Sequence, residues 1–277
     1  DRTPPTITTT NKSVVENTKA VASITATDTN GLIGSNPYTL DGVDSGLFNV
    51  NSANGAFSFK TTRSESFRFN SGEFAMIGQE VDGKRVLRAY SIVSPSWADY
   101  LEFLSIKDVG PLTNQLSKVE EGAEVLLLPK CTGTLRDTFL TEGGKRLVLL
   151  ATGTGLAPFM STIRDIDLVE TYESIHVVHS VRSRDDLAYE KELLSVFVDE
   201  PDLHELLKDK LEYTALVTGE GDERIDARFI QSDDRVMACG NLQFNYDVVE
   251  WCKALGMTEG SNREPGQFVI EKAFVDQ

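Results

Sequence analysis

Cysteine, histidine and tryptophan are scarce in this chain, numbering three, three and two in 277 residues. Cys131, Cys239 and Cys252 are too few and too far apart for a disulfide framework or a zinc site, and free cysteines fit a reducing compartment. His176, His179 and His204 form no ligand pattern, so no metal is expected. The first two sit inside the apolar run Ile175–Val181, where they read as hydrogen-bonded core histidines. Positive charge is short as well: 27 Lys and Arg stand against 43 Asp and Glu, a net charge of −16. Nucleic acid, whose phosphates need a compensating basic face, is therefore not an expected partner. No apolar run is long enough to cross a bilayer, and no basic–apolar–small segment resembles a signal peptide. A cytoplasmic chain without membrane contact is the expectation.

What remains is a soluble globular composition, 40% hydrophobic and 25% charged, with length for two ordinary domains. The sparse cations gather in one region, at Lys60, Arg63, Arg68, Lys84, Arg85 and Arg88, with Glu65, Glu73, Glu80 and Asp82 among them. That cluster reads either as a mixed-sign surface or as a local basic face able to steer an acidic protein partner.

Three stretches differ in rhythm. Residues 1–57 are rich in Thr, Asn, Ser and Gly. They read as short strands (Pro5–Thr9, Ala20–Ala26, Pro37–Leu40, Leu47–Val50, Ala56–Lys60) parted by turns such as Asp41-Gly42 and Asn54-Gly55. Residues 58–143 read as a small antiparallel β-barrel. Its strands fall at Phe67–Gly78, a strand–turn–strand over Val81–Val86, Arg88–Ser94, Leu101–Lys107 and Glu124–Pro129, with one helix at Pro111–Leu116. Residues 144–277 alternate strands (Leu147–Ala151, Ser174–Ser180, Leu211–Val217, Arg235–Cys239) with helices (Ala157–Asp165, Leu187–Val198, Asn245–Leu255). This predicts an α/β domain with a doubly wound parallel sheet. Ligands of such sheets lie beyond the carboxyl ends of the strands, where Gly153-Thr154-Gly155 and Cys239-Gly240 fall. Strand, glycine loop and Pro158 in the first helical turn suit an anion or nucleotide. The loop nevertheless lacks the third glycine and acidic ribose residue of the dinucleotide fingerprint.

Six motifs then occur in order: Arg88-Ala89-Tyr90-Ser91, Ser105-Ile106-Lys107, Gly110-Pro111-Leu112-Thr113, Thr152-Gly153-Thr154-Gly155-Leu156-Ala157-Pro158-Phe159, Cys239-Gly240, and Glu264-Pro265-Gly266 with Ile270-Glu271-Lys272-Ala273-Phe274-Val275. Together they resemble the ferredoxin/flavodoxin–NADP reductase family, in its bacterial type, over about Phe57 to Gln277. The resemblance implies FAD and NADP(H) as cofactors, ferredoxin or flavodoxin as partner, a monomer, and hydride transfer between nicotinamide and flavin N5. Arg88 would pair with the FAD pyrophosphate and Tyr90 would pack on the flavin, beside Ala89. Taken alone, this stretch reads as an ordinary barrel strand. Ile106, Lys107 and the helix opening at Gly110, Pro111, Leu112 and Thr113 complete the FAD side, the helix N–H groups receiving phosphates; alone, Gly110-Pro111 is only a turn. Thr154 would touch the FAD too, with Ala273 and Phe274 lying across the flavin.

The same resemblance places Thr152, Gly153, Thr154, Gly155 and Pro158 beside the pyridine nucleotide, together with Val181, and has Cys239 and Gly240 closing over it. Ser91 near flavin N5, Cys239, and Glu271 in a polar network are the catalytic candidates. No sequence feature suggests a thiolate at Cys239, which also reads as a small core residue. Arg182 and Arg224 are the cations available for a 2′-phosphate. Relatives usually carry an arginine after Val217-Thr218, where this chain has Gly219.

The first 57 residues resemble a partial cadherin-like repeat, through Pro4-Pro5-Thr6-Ile7, Glu16-Asn17, Ala26-Thr27-Asp28, Tyr38-Thr39-Leu40 and the Leu47–Phe57 hairpin. Glu16 and Asp28 would bind calcium there, or serve as solvated turn carboxylates. The hairpin reads as serving both halves, ending the repeat and giving the barrel its first strand. Two other activities are open: an NAD(P)H:flavin or ferric reductase on the same fold, and a calcium-dependent adhesion module with a passive C-terminal part.

Overall fold

The computed structural model describes residues 56–81, 83–106, 110–119 and 123–272, with Lys272 by backbone only. Ahead of them it describes the backbone of four short strands, β1 (Thr6–Ile7), β2 (Ala26–Thr27), β3 (Asn36–Thr39) and β4 (Phe48–Val50). Most of the cadherin-like segment, Glu16 and Asp28 included, lies outside the described residues, as do Lys107, Ala273 and Phe274.

Two antiparallel sheets come first, built with β5 (Ala56–Thr62), β6 (Phe74–Val81), β7 (Lys84–Ser91), β8 (Tyr100–Ile106) and β9 (Glu124–Thr132). Their orders are β4-β5-β8 and β3-β9-β6-β7, and α1 (Pro111–Leu116) connects β8 to β9. Alternation fixes which side chains face inward. Phe57 and Phe59 are buried on β5 and meet Phe103 of β8, the Phe59 and Phe103 ring centroids lying 5.5 Å apart. Ile77, Leu101 and Leu127 join them in one cluster.

Five parallel strands follow: β10 (Arg146–Thr152), β11 (Ser174–Val181), β12 (Leu211–Val217), β13 (Arg235–Gly240) and β14 (Phe268–Lys272), in the order β12-β11-β10-β13-β14. Helices α2 (Ala157–Thr162), α3 (Ile166–Thr171), α4 (Glu190–Leu194), α5 (Pro201–Leu207) and α6 (Leu242–Ala254) connect them. Leu147 to Ala151 are wholly buried, which is why β10 is apolar without alternation: both its faces are covered. One face packs Leu149, Phe159 and Met160 in a cluster that also takes in Val93 and Leu104. The antiparallel and parallel regions thus share a core. The other face packs Val148 and Leu150 against Phe244 and Val248 of α6. Strand order reverses beside β10, so a crevice opens at its carboxyl end. Among the described residues no helix is long and apolar enough to cross a membrane, and no group of metal-ligating side chains is present.

Several elements differ from the sequence expectation. Val81–Val86 is not a separate unit from Arg88–Ser94, because β6 and β7 form one hairpin turned at Gly83, whose φ of +73° suits glycine. Phe67 and Phe69 are buried in a loop ahead of β6 rather than in a strand. The helix expected over Leu187–Val198 shrinks to the five residues of α4, flanked by left-handed Tyr189, Val196 and Phe197. Tyr189 leaves the helix to donate its hydroxyl to the buried Glu102 Oε1 across the two regions, at 2.9 Å. Helix α6 begins at Leu242, not Asn245, because Asn241 Oδ1 accepts the Phe244 N–H as an N-cap. Strand β14 and helices α3 and α5 were not expected.

Candidate functional site

The glycine loop after β10 is shaped by close backbone approach. Thr152 ends the strand, Gly153–Leu156 form a 3₁₀ turn, and α2 begins at Ala157. A Cβ on Gly155 would stand 2.1 Å from the Cys239 carbonyl oxygen, and one on Gly240 2.4 Å from Thr152 Oγ1. A side chain at Gly155 would push the loop off the β13 backbone, whereas one at Gly240 would displace the Thr152 and Phe244 side chains. Gly155, Pro158, Cys239 and Gly240 are all buried and form the rear of the loop.

In front lies a cleft of about 640 Å³ at the carboxyl ends of β10 to β13. Thr152, Gly153, Thr154, Val181, Arg182 and Arg224, all nucleotide candidates from the sequence, line it, and so does Ile106 from the antiparallel region. Sequence reasoning missed Ser180, Thr218, Asn241 and Phe244 in the same wall. Asn241 was findable, since an Asn directly after a strand-ending glycine is a helix N-cap signal.

The cations of this rim divide into two sets. Arg184 is paired with Glu190 and Glu220, and Arg228 with Glu223 and Asp226. Among the described residues Arg182 and Arg224 make no ion pair, so their guanidinium groups are available to a ligand anion. Asp186 and Asp247 line the cleft as well. Gly219 has a structural cause: its N–H donates to the Arg182 carbonyl at 2.9 Å, and a Cβ there would stand 2.2 Å from that oxygen. An arginine at this position would displace the segment carrying Arg182.

On the antiparallel side, Arg88 and Tyr90 are two residues apart on β7 and therefore share a face. Arg88 is exposed, its Nη1 donating to the Leu87 carbonyl at 2.8 Å. The half-buried Tyr90 ring stands edge-on to Phe103, and its hydroxyl lies 3.2 Å from Ser105 Oγ. Burial raises the Tyr90 phenol pKa, so it is a neutral donor. Ala89 is exposed and Ser91 half-buried. At α1, Leu112 is buried. The helix offers fewer phosphate donors than expected, because Pro111 has no N–H and Gly110 gives its own to Thr113 Oγ1 at 3.0 Å.

The catalytic candidates lie on two rows of strand partners. In the antiparallel sheet Ser91 is opposite Phe74, which is opposite Thr132. In the parallel sheet Ala151 is opposite Cys239, which is opposite Glu271. The rows are joined just beyond Thr132, where the Thr134 N–H donates to Glu271 Oε2 at 2.9 Å and the Thr134 hydroxyl to the Ile270 carbonyl at 2.7 Å. Burial pushes the Glu271 carboxyl up to about 7, against the lowering effect of the Thr134 bonds. Burial, then the Glu271 charge, pushes the Cys239 thiol well up. Cys239 is therefore a protonated, 1% exposed thiol and not a nucleophile, in keeping with a packing role. Both core histidines are hydrogen-bonded as expected, His176 Nε2 to Thr214 Oγ1 and His179 Nε2 to the Gly153 carbonyl, each at 2.9 Å.

Residues 149–250 match the family described as oxidoreductase NAD-binding domain. The chain is 40% identical to the flavodoxin/ferredoxin–NADP reductase of Rhodobacter capsulatus over 240 residues, which is 80% of this chain and 88% of that one. It is also 40% identical to the ferredoxin–NADP reductase of Azotobacter vinelandii, over 80% of this chain and 93% of that one. In fold it is similar to a ferredoxin NADP+ reductase from Neisseria gonorrhoeae with bound FAD and NADP. The TM-score is 0.74 at 24% identity, covering 86% of this chain and 98% of that one.

Proposed function

We infer the reaction from one premise: the chain belongs to the ferredoxin/flavodoxin–NADP reductase family, as two relatives 40% identical along nearly their whole length establish. It is an FAD-dependent oxidoreductase that exchanges electrons between NADP(H) and ferredoxin or flavodoxin. An adhesion module with a passive C-terminal part does not accommodate these relatives. When bound, FAD supplies hydride exchange with the nicotinamide and release of single electrons to the protein partner.

The chain's own residues bind and orient. Arg182 and Arg224 suit the 2′-phosphate of NADP(H): both line the cleft, and among the described residues neither makes an ion pair. Arg88 suits the FAD pyrophosphate, turning from the Leu87 carbonyl to a stronger acceptor, and Tyr90 on the same face offers its ring. Glu271 stands at the seam where the two strand rows are joined, and Ser91 lies on the row that Thr134 joins to it. Glu271, half-buried and with a carboxyl at about 7, can hold or release a proton there near neutral pH. Cys239 and Gly240 give the nucleotide loop its seat. Holding both rings at one seam removes most of the orientational entropy from the barrier.

One observation carries this reading: the cleft that holds Arg182 and Arg224 is also lined by Ile106, so it opens against the antiparallel region. The test is to purify the chain with FAD and add NADPH without oxygen. Bleaching of the flavin absorption by NADPH, faster than by NADH, supports both the reaction and the arginine assignment. Equal rates with the two donors remove the arginine assignment, and a flavin that NADPH never bleaches removes the reaction.

A further inference from the structure

The steps above leave one buried titratable group at the site unused. His179 lies on β11 opposite Ala151 of β10, and it is wholly buried. Its Nε2 is 2.9 Å from the Gly153 carbonyl oxygen. A carbonyl only accepts, so Nε2 carries the proton and Nδ1 is bare if the ring is neutral. Burial keeps it neutral, lowering the imidazolium to about 4. The Tyr213 hydroxyl of β12 lies 3.5 Å from Nδ1, a long contact in which the hydroxyl is the donor. The tautomer is thus set from both ends of the ring.

The group it holds is not an ordinary peptide. Gly153 has a φ of +53°, and a Cβ there would meet nothing within 4 Å. The positive φ rather than a close neighbour is thus what calls for glycine here, a residue with several other conformations at little cost. The hydrogen bond from His179 selects among them. Thr152, Gly153 and Thr154 all line the cleft, so the peptide it orients is part of the cleft wall. An apolar side chain would fill the same buried volume without the desolvation cost of an imidazole, but would take away the side-chain donor to the Gly153 carbonyl.

We propose that His179 is a positioning residue for the pyridine nucleotide: its Nε2–H pins the Gly153 carbonyl, fixes the left-handed loop and so places the cleft wall, with Tyr213 holding the tautomer. This rests on the reading that the cleft takes NADP(H).

The test uses the FAD-loaded enzyme and three variants, His179→Leu, His179→Gln and Tyr213→Phe. Gln can present an amide N–H near the place of Nε2, whereas Leu cannot. His179→Leu is expected to raise the NADPH KM or slow flavin reduction roughly tenfold, the size of one buried hydrogen bond, with FAD content and flavin spectrum unchanged. His179→Gln is expected to recover most of that loss, and Tyr213→Phe to show a change of about twofold, as suits a long contact. Wild-type kinetics in His179→Leu, or a folded His179→Gln as impaired as His179→Leu, overturns the proposal alone. If His179→Leu does not retain FAD, His179→Asn, whose amide reaches only the Nδ1 place, replaces it and the same comparison with Gln decides. Failure of NADPH to reduce the wild-type flavin overturns the reading of the cleft, and the proposal with it.

Discussion

The parallel and antiparallel regions offer binding groups in opposite ways. In the parallel region the site is made by backbone pressed on backbone: Gly155 on the Cys239 carbonyl and Gly219 on the Arg182 carbonyl, leaving no room for a side chain. Its two cleft-lining arginines make no ion pair among the described residues, while Arg184 and Arg228 are paired with carboxylates. In the antiparallel region the candidate groups are side chains along one strand, with Arg88 exposed and resting on a neighbouring carbonyl. A site of the first kind fails when its shape is disturbed. A site of the second kind fails one side chain at a time.

Breaking the shape gives the largest expected effect. In Gly155→Val the new side chain overlaps the Cys239 carbonyl, and the loop must move off the β13 backbone. We expect a loss of about 3 kcal/mol in urea unfolding and more than tenfold slower reduction by NADPH, with FAD retained by the other region. Loss of FAD as well would show that the two regions are not separable in this way. Next is Arg88→Ala, which should weaken FAD binding roughly 10- to 100-fold by loss of a charge-assisted contact. Equilibrium binding of 2′-phospho-AMP to the same variant should not change.

A smaller effect sharpens the contrast among the arginines. Arg182→Ala and Arg224→Ala should each raise the NADPH KM roughly tenfold and leave the NADH KM alone, since a phosphate contact is worth about 1.5 kcal/mol. Arg184→Ala should stay within about twofold for both donors, because exposed ion pairs contribute little. Steady-state kinetics with both donors separates the three. The smallest effect concerns Glu271, at the seam. Its folded-state carboxyl is raised to about 7 from an ordinary 4.5, so protons bind the folded state more tightly. The resulting stabilisation is full below about 4.5 and is lost as the pH rises through 7. Relative to Glu271→Gln, the wild type should lose about 1 kcal/mol over that window, the full shift being discounted for its partial exposure, as measured by thermal unfolding at a series of pH values.

The two regions also differed in how far the residues alone revealed them. Strands β10, β11 and β13 were legible because burial on both faces leaves them largely apolar, whereas β12, a half-buried edge strand, showed through its apolar end Ala215-Leu216-Val217. Strand β14 was missed: Phe268-Val269-Ile270 is short and lies at the sheet edge, where a family motif had absorbed it. Helix α4 was overextended because Leu187–Val198 has helical periodicity, whereas Tyr189 answers to Glu102, a partner 87 residues away. In the antiparallel region the Val81–Val86 turn was visible, but not that its flanks were the two long strands of a single hairpin. Arg182 and Arg224 were legible as cations, whereas their lack of an ion pair among the described residues was not, because it depends on where Glu190, Glu220 and Glu223 fold. His179 was readable as a hydrogen-bonded core residue, but its acceptor is a carbonyl on another strand's loop.

On the proposed reading, a nucleotide cleft on one region delivers electrons to a flavin held by the other. Anaerobic rapid mixing of the FAD-loaded chain with NADPH tests it most directly. The account predicts that the flavin absorption bleaches in a single turnover and returns when oxidised ferredoxin or flavodoxin is added. A chain that retains FAD, binds NADPH and leaves the flavin oxidised would contradict it.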